Sequence, residues 1–361
     1  MILEGNKVNS KINNGVSSYA NPLFFCFILA LILSGCGQSQ QKQIFTIEGT
    51  TMGTTYKISY VAGEEEVIKA DIDSLLNLFN LSLSTYIDSS SISKINRTYK
   101  ADSLFEIDKS FYEVFRISEK VHRATDEAFD PSVMPLVHFW GFGVRKNLEQ
   151  DTSKLDSLRQ LVGLGTFGAV AFDGKYFIKK SNPYAQLDFN AVAQGYASDV
   201  VADYFEAKDI TDYMIEIGGE VRCNGSNNRN TTWTIGIDKP ENSDAQTRQL
   251  KATVLLNNAS LATSGNYRKF LKQEGKKYGH TINPKTGFPE VNTTLSVSVV
   301  TRYCGYADAY ATAFMVMGHE KAFEFAERDT SIEAYFIYSD EKGNMLTKET
   351  SGLKNVLKEL E

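Results

Sequence analysis

From Ile44 to the C-terminus the chain carries two hydrophobic periods in no regular order, and that mixture limits its architecture more than any other feature. Ile44 to Tyr60 alternates as two β-rich runs around Thr51-Met52-Gly53-Thr54, which predicts a hairpin. Val67, Ile68, Ile72, Leu75, Leu76 and Phe79 recur at helical spacing and predict a helix within Glu64 to Leu81. Further helices are expected over Lys109 to Ala124, Leu155 to Val162, Asp188 to Glu206, Tyr306 to Met317 and Glu320 to Arg328. Strands are expected over Tyr213 to Arg222, Trp233 to Asp238, Leu250 to Leu256, Leu295 to Thr301 and Ile332 to Tyr338. A doubly wound parallel sheet needs strands and helices in strict alternation, so this order predicts an α+β domain instead. An apolar fraction of 42% can fill its core.

The first residues stand outside that fold. Leu23 to Leu33 is an unbroken apolar run of about eleven residues behind Lys7 and Lys11, short for a bilayer span and suited to a signal-peptide core. It leads into Leu33-Ser34-Gly35-Cys36, which resembles a bacterial lipobox. The expected organisation is a signal peptide over 1–35, a lipidated polar tether over 36–43 starting at Cys36, and one domain over 44–361. This places the domain on the exported side of a bacterial cell membrane. Cys223 and Cys304 then remain, with neither a metal-binding nor a redox spacing. They read as buried thiols or as one disulfide. The net charge of −6 argues against a general nucleic-acid binder.

Several short segments carry the residues of possible chemistry. His280 to Pro289 holds one of only four histidines beside two prolines and a glycine. It reads as a rigid loop presenting an imidazole, or as a solvated surface turn. Asp188 to Gly195 leads into a helix, with Asn190 as the expected N-cap and small residues at Ala191, Ala193 and Gly195. A helix start with open N–H groups admits a phosphate; the same residues also suit a capped helix packed on a sheet. Asp308 and Thr312 are four apart on a helix and share a face, as oxygen ligands of Mg²⁺ or as ordinary helix polar groups. Leu261 to Tyr267 is small and polar, a cofactor loop or a turn. Ala128-Phe129-Asp130-Pro131 and Trp140-Gly141-Phe142-Gly143 place aromatics in loops, as a ring pocket or as buried anchors. No Walker loop, dinucleotide fingerprint, zinc pattern or nucleophile elbow is present.

Taken in order, these segments resemble the ApbE family of FAD:protein FMN transferases. The set is Thr51 to Thr54, Ser84-Thr85-Tyr86, Phe129-Asp130-Pro131, Trp140 to Gly143, Asp188 to Gly195, Ile217-Gly218-Gly219-Glu220, Ala262-Thr263-Ser264-Gly265, His280 to Pro289 and Asp308 to Thr312. The resemblance covers almost all of the expected domain. It implies a single α+β unit with a T-fold-like core, a mixed but largely antiparallel sheet, and an FAD cleft between two halves. It also implies Mg²⁺-dependent transfer of FMN from FAD to a threonine or serine hydroxyl of a target protein, with release of AMP. Targets in the family include subunits of Nqr- and Rnf-type membrane complexes, and some relatives instead hydrolyse FAD to FMN and AMP.

By the same resemblance, Met52, Tyr86, Ala128, Phe129, Asp130, Asp188, Gln194 and Ile282 match FAD-contact positions. Ala191, Asp308, Ala311 and Thr312 match Mg²⁺ positions, the alanines through their carbonyls. Gln194 stands where relatives can carry a charged residue, and Glu220 receives no catalytic role. His280 matches the histidine expected to take the proton of the acceptor hydroxyl, with Asp308 as the alternative base.

Overall fold

The computed structural model describes residues 42–143, 151–240, 249–266, 270–273 and 276–360. The expected signal peptide and Cys36 lie outside the described residues, as does most of the loop between Asp238 and Gln249. Among the described residues no helix is long and apolar enough to cross a membrane.

The chain runs β1 (Gln43–Thr51), β2 (Thr54–Ala62), α1 (Lys69–Leu83), α2 (Ser91–Asn96), β3 (Ser103–Ile107), α3 (Lys109–Ala124), α4 (Met134–Trp140) and α5 (Leu155–Arg159). It continues β4 (Phe167–Phe172), β5 (Lys175–Lys180), α6 (Ala193–Glu206), β6 (Tyr213–Ile217), β7 (Glu220–Asn224), β8 (Trp233–Asp238), β9 (Leu250–Leu256) and β10 (Ala259–Gly265). The remainder is β11 (Phe270–Gln273), β12 (Lys276–Gly279), β13 (Thr294–Thr301), α7 (Cys304–Met317), α8 (His319–Arg328), β14 (Glu333–Ser339), β15 (Met345–Glu349) and β16 (Leu357–Glu359).

Eight strands form the main sheet in the order β1-β2-β6-β7-β10-β13-β14-β15, every neighbour antiparallel. Helices cover one face and the small sheet β16-β9-β8 covers the other. The central strands are therefore apolar on both sides. In β14, Ala334 and Phe336 enter the helical core, while Tyr335 and Ile337 enter the core shared with Trp233, Ile235 and Val254. Double burial is why Ile332 to Tyr338 lacks a polar alternation.

Four expectations need correction. Tyr213 to Arg222 is two strands, because Gly218 and Gly219 both have positive φ (+71° and +112°) and turn the chain back on itself. Leu261 to Tyr267 is no free loop: its first five residues belong to β10, in the middle of the main sheet. Its small side chains suit the close packing of α7 on that strand. The helix expected from Asp188 starts at Ala193, and Asn190 is not its cap; the N-cap is Val192, without a side-chain hydrogen bond. The Asn190 N–H instead donates to Asp188 Oδ1 at 2.8 Å, which holds 188–190 in a turn. The helix expected from Glu64 begins at Lys69, although Val67 is fully buried ahead of it.

Candidate active site

The centre of the site is the crossing of α6 and α7. Neither helix carries its own side-chain cap, and each caps the other. Asp199 of α6 accepts from the Cys304 and Gly305 N–H groups at 2.8 and 2.9 Å. Asp308 of α7 accepts from the Gly195 N–H at 3.1 Å. Orphan donors at both helix starts are thus met by carboxylates of the partner helix. Gly195 makes the approach possible: a Cβ there would press on the Cys304 carbonyl oxygen and lie 2.8 Å from Asp308 Cβ.

Asp308 is consequently buried, and loss of water pushes its carboxyl up to about 7 against the pull of the Gly195 N–H. Burial raises Asp199 to about 7 as well, opposed by its two capping N–H groups and by Arg222. One turn beyond Asp308, the Thr312 hydroxyl lies 3.2 Å from Ser264 Oγ on β10. Ala311 is fully buried in mid-helix, while Ala191 is half-buried in the turn that precedes α6. The result is an oxygen-only group of side chains: the Asp308 carboxylate and, one turn on, the paired Thr312 and Ser264 hydroxyls. It fits a hard divalent cation that keeps water or phosphate ligands. Among the described residues no cluster of three or more His, Cys, Asp or Glu offers a metal site.

The β1–β2 hairpin forms the neighbouring rim. Met52 and Gly53 have φ of +49° and +72°, the pairing of a type I′ turn. A methionine in this region is strained, and half-buried Met52 packs on the main core. Thr51 Oγ1 accepts from Asn80 Nδ2 at 3.0 Å and fixes the turn to α1. The Gly218 N–H donates to the Thr55 carbonyl at 3.0 Å, and an added Gly218 Cβ would sit 2.8 Å from Gln194 Nε2. Gln194, the Gly218-Gly219 turn and Thr55 of β2 therefore meet, and an open concavity is lined by Thr50 to Thr55, Met52 among them.

A second wall joins Tyr86, Asp188 and the 128–133 segment. Tyr86 is 62% exposed; desolvation of its hydroxyl and the nearby Asp188 carboxylate push its phenol up. The half-buried Asp188 is raised by burial, and its N–H donates to the Pro131 carbonyl at 2.7 Å. Ala128, Phe129 and Asp130 are buried. The Asp130 carboxylate turns inward, accepting from Ser132 N–H and Oγ at 2.7 and 2.6 Å. His122 Nδ1 braces the same turn, 2.9 Å from the Phe129 carbonyl and 3.7 Å from Asp130 Oδ2. His122 has no obvious partner in sequence; the fold supplies one.

The His280 segment is pinned rather than free. Trp140 Nε1 donates to the Gly287 carbonyl at 2.7 Å, and the Trp140 and Phe288 rings lie 5.7 Å apart. Ile282 is buried with Leu136, Phe139, Trp140 and Leu155 in a small satellite core. Asn283 closes the turn from within, accepting from Lys285 N–H and donating to Glu290. Thr281 Oγ1 donates to Asn266 Oδ1 at 3.0 Å. Asn266 lies two residues beyond Ser264, so the end of β10 bridges half-buried His280 to the Thr312 side of the site. Cys223 and Cys304 are free buried thiols, so the disulfide alternative falls away.

Sequence reading missed Asp199, and it missed Asn96, whose amide pairs with the Leu187 backbone. Asp199 stands four residues after Gly195, on the face that meets α7; a carboxylate on that small-residue face was the available signal.

The ApbE family profile matches residues 52–336. An FAD:protein FMN transferase of Haemophilus influenzae is 31% identical over 335 residues, covering 91% of this chain and 95% of the relative. One from Vibrio cholerae is 34% identical over 303 residues, covering 82% and 88%. The solved flavin transferase ApbE from Vibrio cholerae superimposes with a TM-score of 0.76 at 31% identity, covering 87% of this chain and 99% of that one. The apo flavinyl transferase ApbE of Pseudomonas stutzeri gives 0.76 at 29% identity, covering 88% and 97%.

Proposed function

The chain belongs to the ApbE family, and we propose a division of labour in which the α6–α7 crossing grips the diphosphate of FAD while the His280 loop handles the acceptor. The protein transfers FMN from FAD to a target protein. The observation that carries our reading is the buried Asp308 carboxylate, one helical turn from a Thr312 hydroxyl that is itself paired with Ser264.

Asp308 and Thr312 would hold Mg²⁺, with the carbonyls of Ala191 and Ala311 as further donors. When bound, the ion supplies charge neutralisation for the diphosphate. The chain's own groups do the rest. Met52, Gln194 and Ile282 shape the cleft, and Tyr86 and Asp188 position the dinucleotide from the opposite wall, braced by Ala128 to Asp130. His280 takes the proton from a threonine or serine hydroxyl of the acceptor. That oxygen bonds to the phosphorus of the FMN half, the P–O bond to the AMP half breaks, and AMP departs with the electron pair. His280 suits this task because its loop is fixed on both sides, through Trp140 and through Asn266. Asp308 suits it poorly, since its Oδ2 is engaged by the Gly195 N–H and its position favours a cation.

We further propose that Cys36 is lipidated and tethers the domain to the exported face of the membrane. There the acceptor would be a flavin-carrying subunit of an electron-transfer complex of the Nqr or Rnf type. Incubating the protein with FAD, Mg²⁺ and such an acceptor domain tests the reading. Covalent flavin on the acceptor, seen by in-gel fluorescence and intact mass together with one AMP per label, is expected. FMN and AMP without labelled acceptor would establish FAD hydrolysis instead, and bound flavin without turnover would establish a binding protein.

A further inference from the structure

Behind the Tyr86–Asp188 wall lies a set of buried polar groups that touches no part of the proposed cleft. Asn96, the last residue of α2, is 3% exposed. Its Nδ2 donates to the Leu187 carbonyl at 2.8 Å and its Oδ1 accepts from the Leu187 N–H at 2.8 Å. One side-chain amide thus pairs with both polar groups of one residue, as a strand neighbour would. The same Nδ2 lies 3.2 Å from Met134 Sδ, just past the 128–133 segment. Leu187 immediately precedes Asp188, whose N–H is held by Pro131.

The other end of α2 faces Tyr86. Ser90 Oγ caps the helix by accepting from the Ser93 N–H at 3.1 Å and donates to the Ser84 carbonyl at 2.7 Å. Ser84 is two residues from Tyr86, whose N–H is 3.2 Å from Ser84 Oγ. The short helix therefore links the Tyr86 turn at its start to the Asp188 turn at its end. Its C-terminal carbonyls are collected by Lys180, a fully buried lysine at the end of β5. Lys180 Nζ lies 3.0 Å from the carbonyls of both Ile95 and Thr98, and 3.5 Å from that of Asn96. An ammonium costs much to bury, and this one is met by carbonyls at the end of α2 and just past it, of which that of Ile95 also accepts from the Thr98 N–H at 3.2 Å.

We infer that Asn96 and Lys180 are positioning residues for FAD: through α2 they set the spacing of Tyr86 and Asp188 without touching the dinucleotide. The inference rests on the proposed placement of Tyr86 and Asp188 at FAD. It predicts an effect on dinucleotide affinity that is separable from chemistry, because the Asp308–Thr312 group and the His280 loop are anchored elsewhere.

Asn96→Asp keeps the shape but removes the donor to Leu187; Lys180→Met removes the donors to α2, and Lys180→Arg restores donors. The full chain is assayed for FAD affinity by flavin fluorescence, for Mg²⁺ affinity by calorimetry, and for transfer at saturating FAD. Loss of a buried hydrogen bond at the wall is expected to weaken FAD about tenfold in Asn96→Asp. kcat should stay within about threefold and Mg²⁺ affinity unchanged, the signature of lost ground-state binding. Lys180→Met should weaken FAD similarly and Lys180→Arg less, and this pair decides the matter if Asn96→Asp does not purify folded. FAD affinity within twofold of wild type, or a kcat that falls as much as affinity does, overturns the inference. Failure of the wild-type protein to bind FAD at all would instead overturn the proposed function.

Discussion

The crossing of α6 and α7 and the His280–Pro289 loop are two ways of holding a reactive group still. Asp308 sits in a helix within the main core, and its surroundings are fixed by backbone approach at Gly195 and by reciprocal caps. His280 sits beside a loop whose order comes from a few long-range ties: an indole N–H, a satellite core of few residues and one threonine–asparagine bond. The first arrangement suits a group that must bear a buried charge in an unchanging geometry. The second suits a group that must meet a second protein, where a loop presents a proton acceptor at the surface. Perturbation of the first should damage everything; perturbation of the second should be selective.

Asp308→Ala should have the largest effect, a fall in transfer of more than about a thousandfold that added Mg²⁺ does not restore. Residual activity that still rises with Mg²⁺ as in the wild type would put the cation elsewhere. His280→Ala should slow transfer by about a hundredfold or more, the usual worth of a general base, while FAD affinity stays nearly constant. Parallel losses in both would make the histidine structural and erase the contrast. Gly195→Ala forces α6 and α7 apart and should cost about 1–3 kcal/mol in urea denaturation. Unchanged stability would mean that the crossing relaxes easily.

The pH response sharpens the same contrast. Burial lifts the Asp308 carboxyl from about 3.8 to about 7. Between those values the folded, metal-free protein keeps a proton that the unfolded chain has lost. The Asp308 contribution to stability is therefore complete below about pH 4 and is lost as pH rises through 7. Mg²⁺ competes with that proton, so its affinity should change in the opposite sense, rising about tenfold per unit up to pH 7 and then levelling. Calorimetric titration from pH 5.5 to 8 checks this; Asp308→Asn should remove the pH dependence of Mg²⁺ binding and reduce the stability trend to the part that Asp199, raised to about 7 as well, contributes. The smallest effect is expected at the loop. Trp140→Phe keeps the ring but loses the bond to the Gly287 carbonyl, about 1 kcal/mol. Its signature is a rise in acceptor KM larger than any change in FAD affinity, which it reaches only through Ile282, and a change in FAD affinity alone would show that the loop belongs to the cofactor half.

Much of this was legible in the sequence because it depends on local chemistry. Periodicity alone placed α3, and the alternation around Met52-Gly53 placed the first hairpin, because strand and helix periods are written residue by residue. The helical spacing of Asp308 and Thr312 required only that their segment be helical. Other features were unreadable for a shared reason. β10 looks like a turn because a strand covered closely by a helix needs small side chains, the same residues that mark loops. Asn190 looks like a cap until the Asp188 carboxylate takes its N–H. The inward turn of Asp130 depends on Ser132 and His122, and no spacing rule announces the latter partner.

The sequence by itself determined the α+β class, the family resemblance and the residue types at the site, since these rest on patterns within single segments. Only the tertiary structure decided which segments meet: Asp199 and Asp308 capping each other's helices, Asn96 standing in as a strand for Leu187, Trp140 holding the loop after His280. Hydrogen-bond partners distant along the chain are chosen by packing, which brings together groups that carry no mark of one another in the linear order.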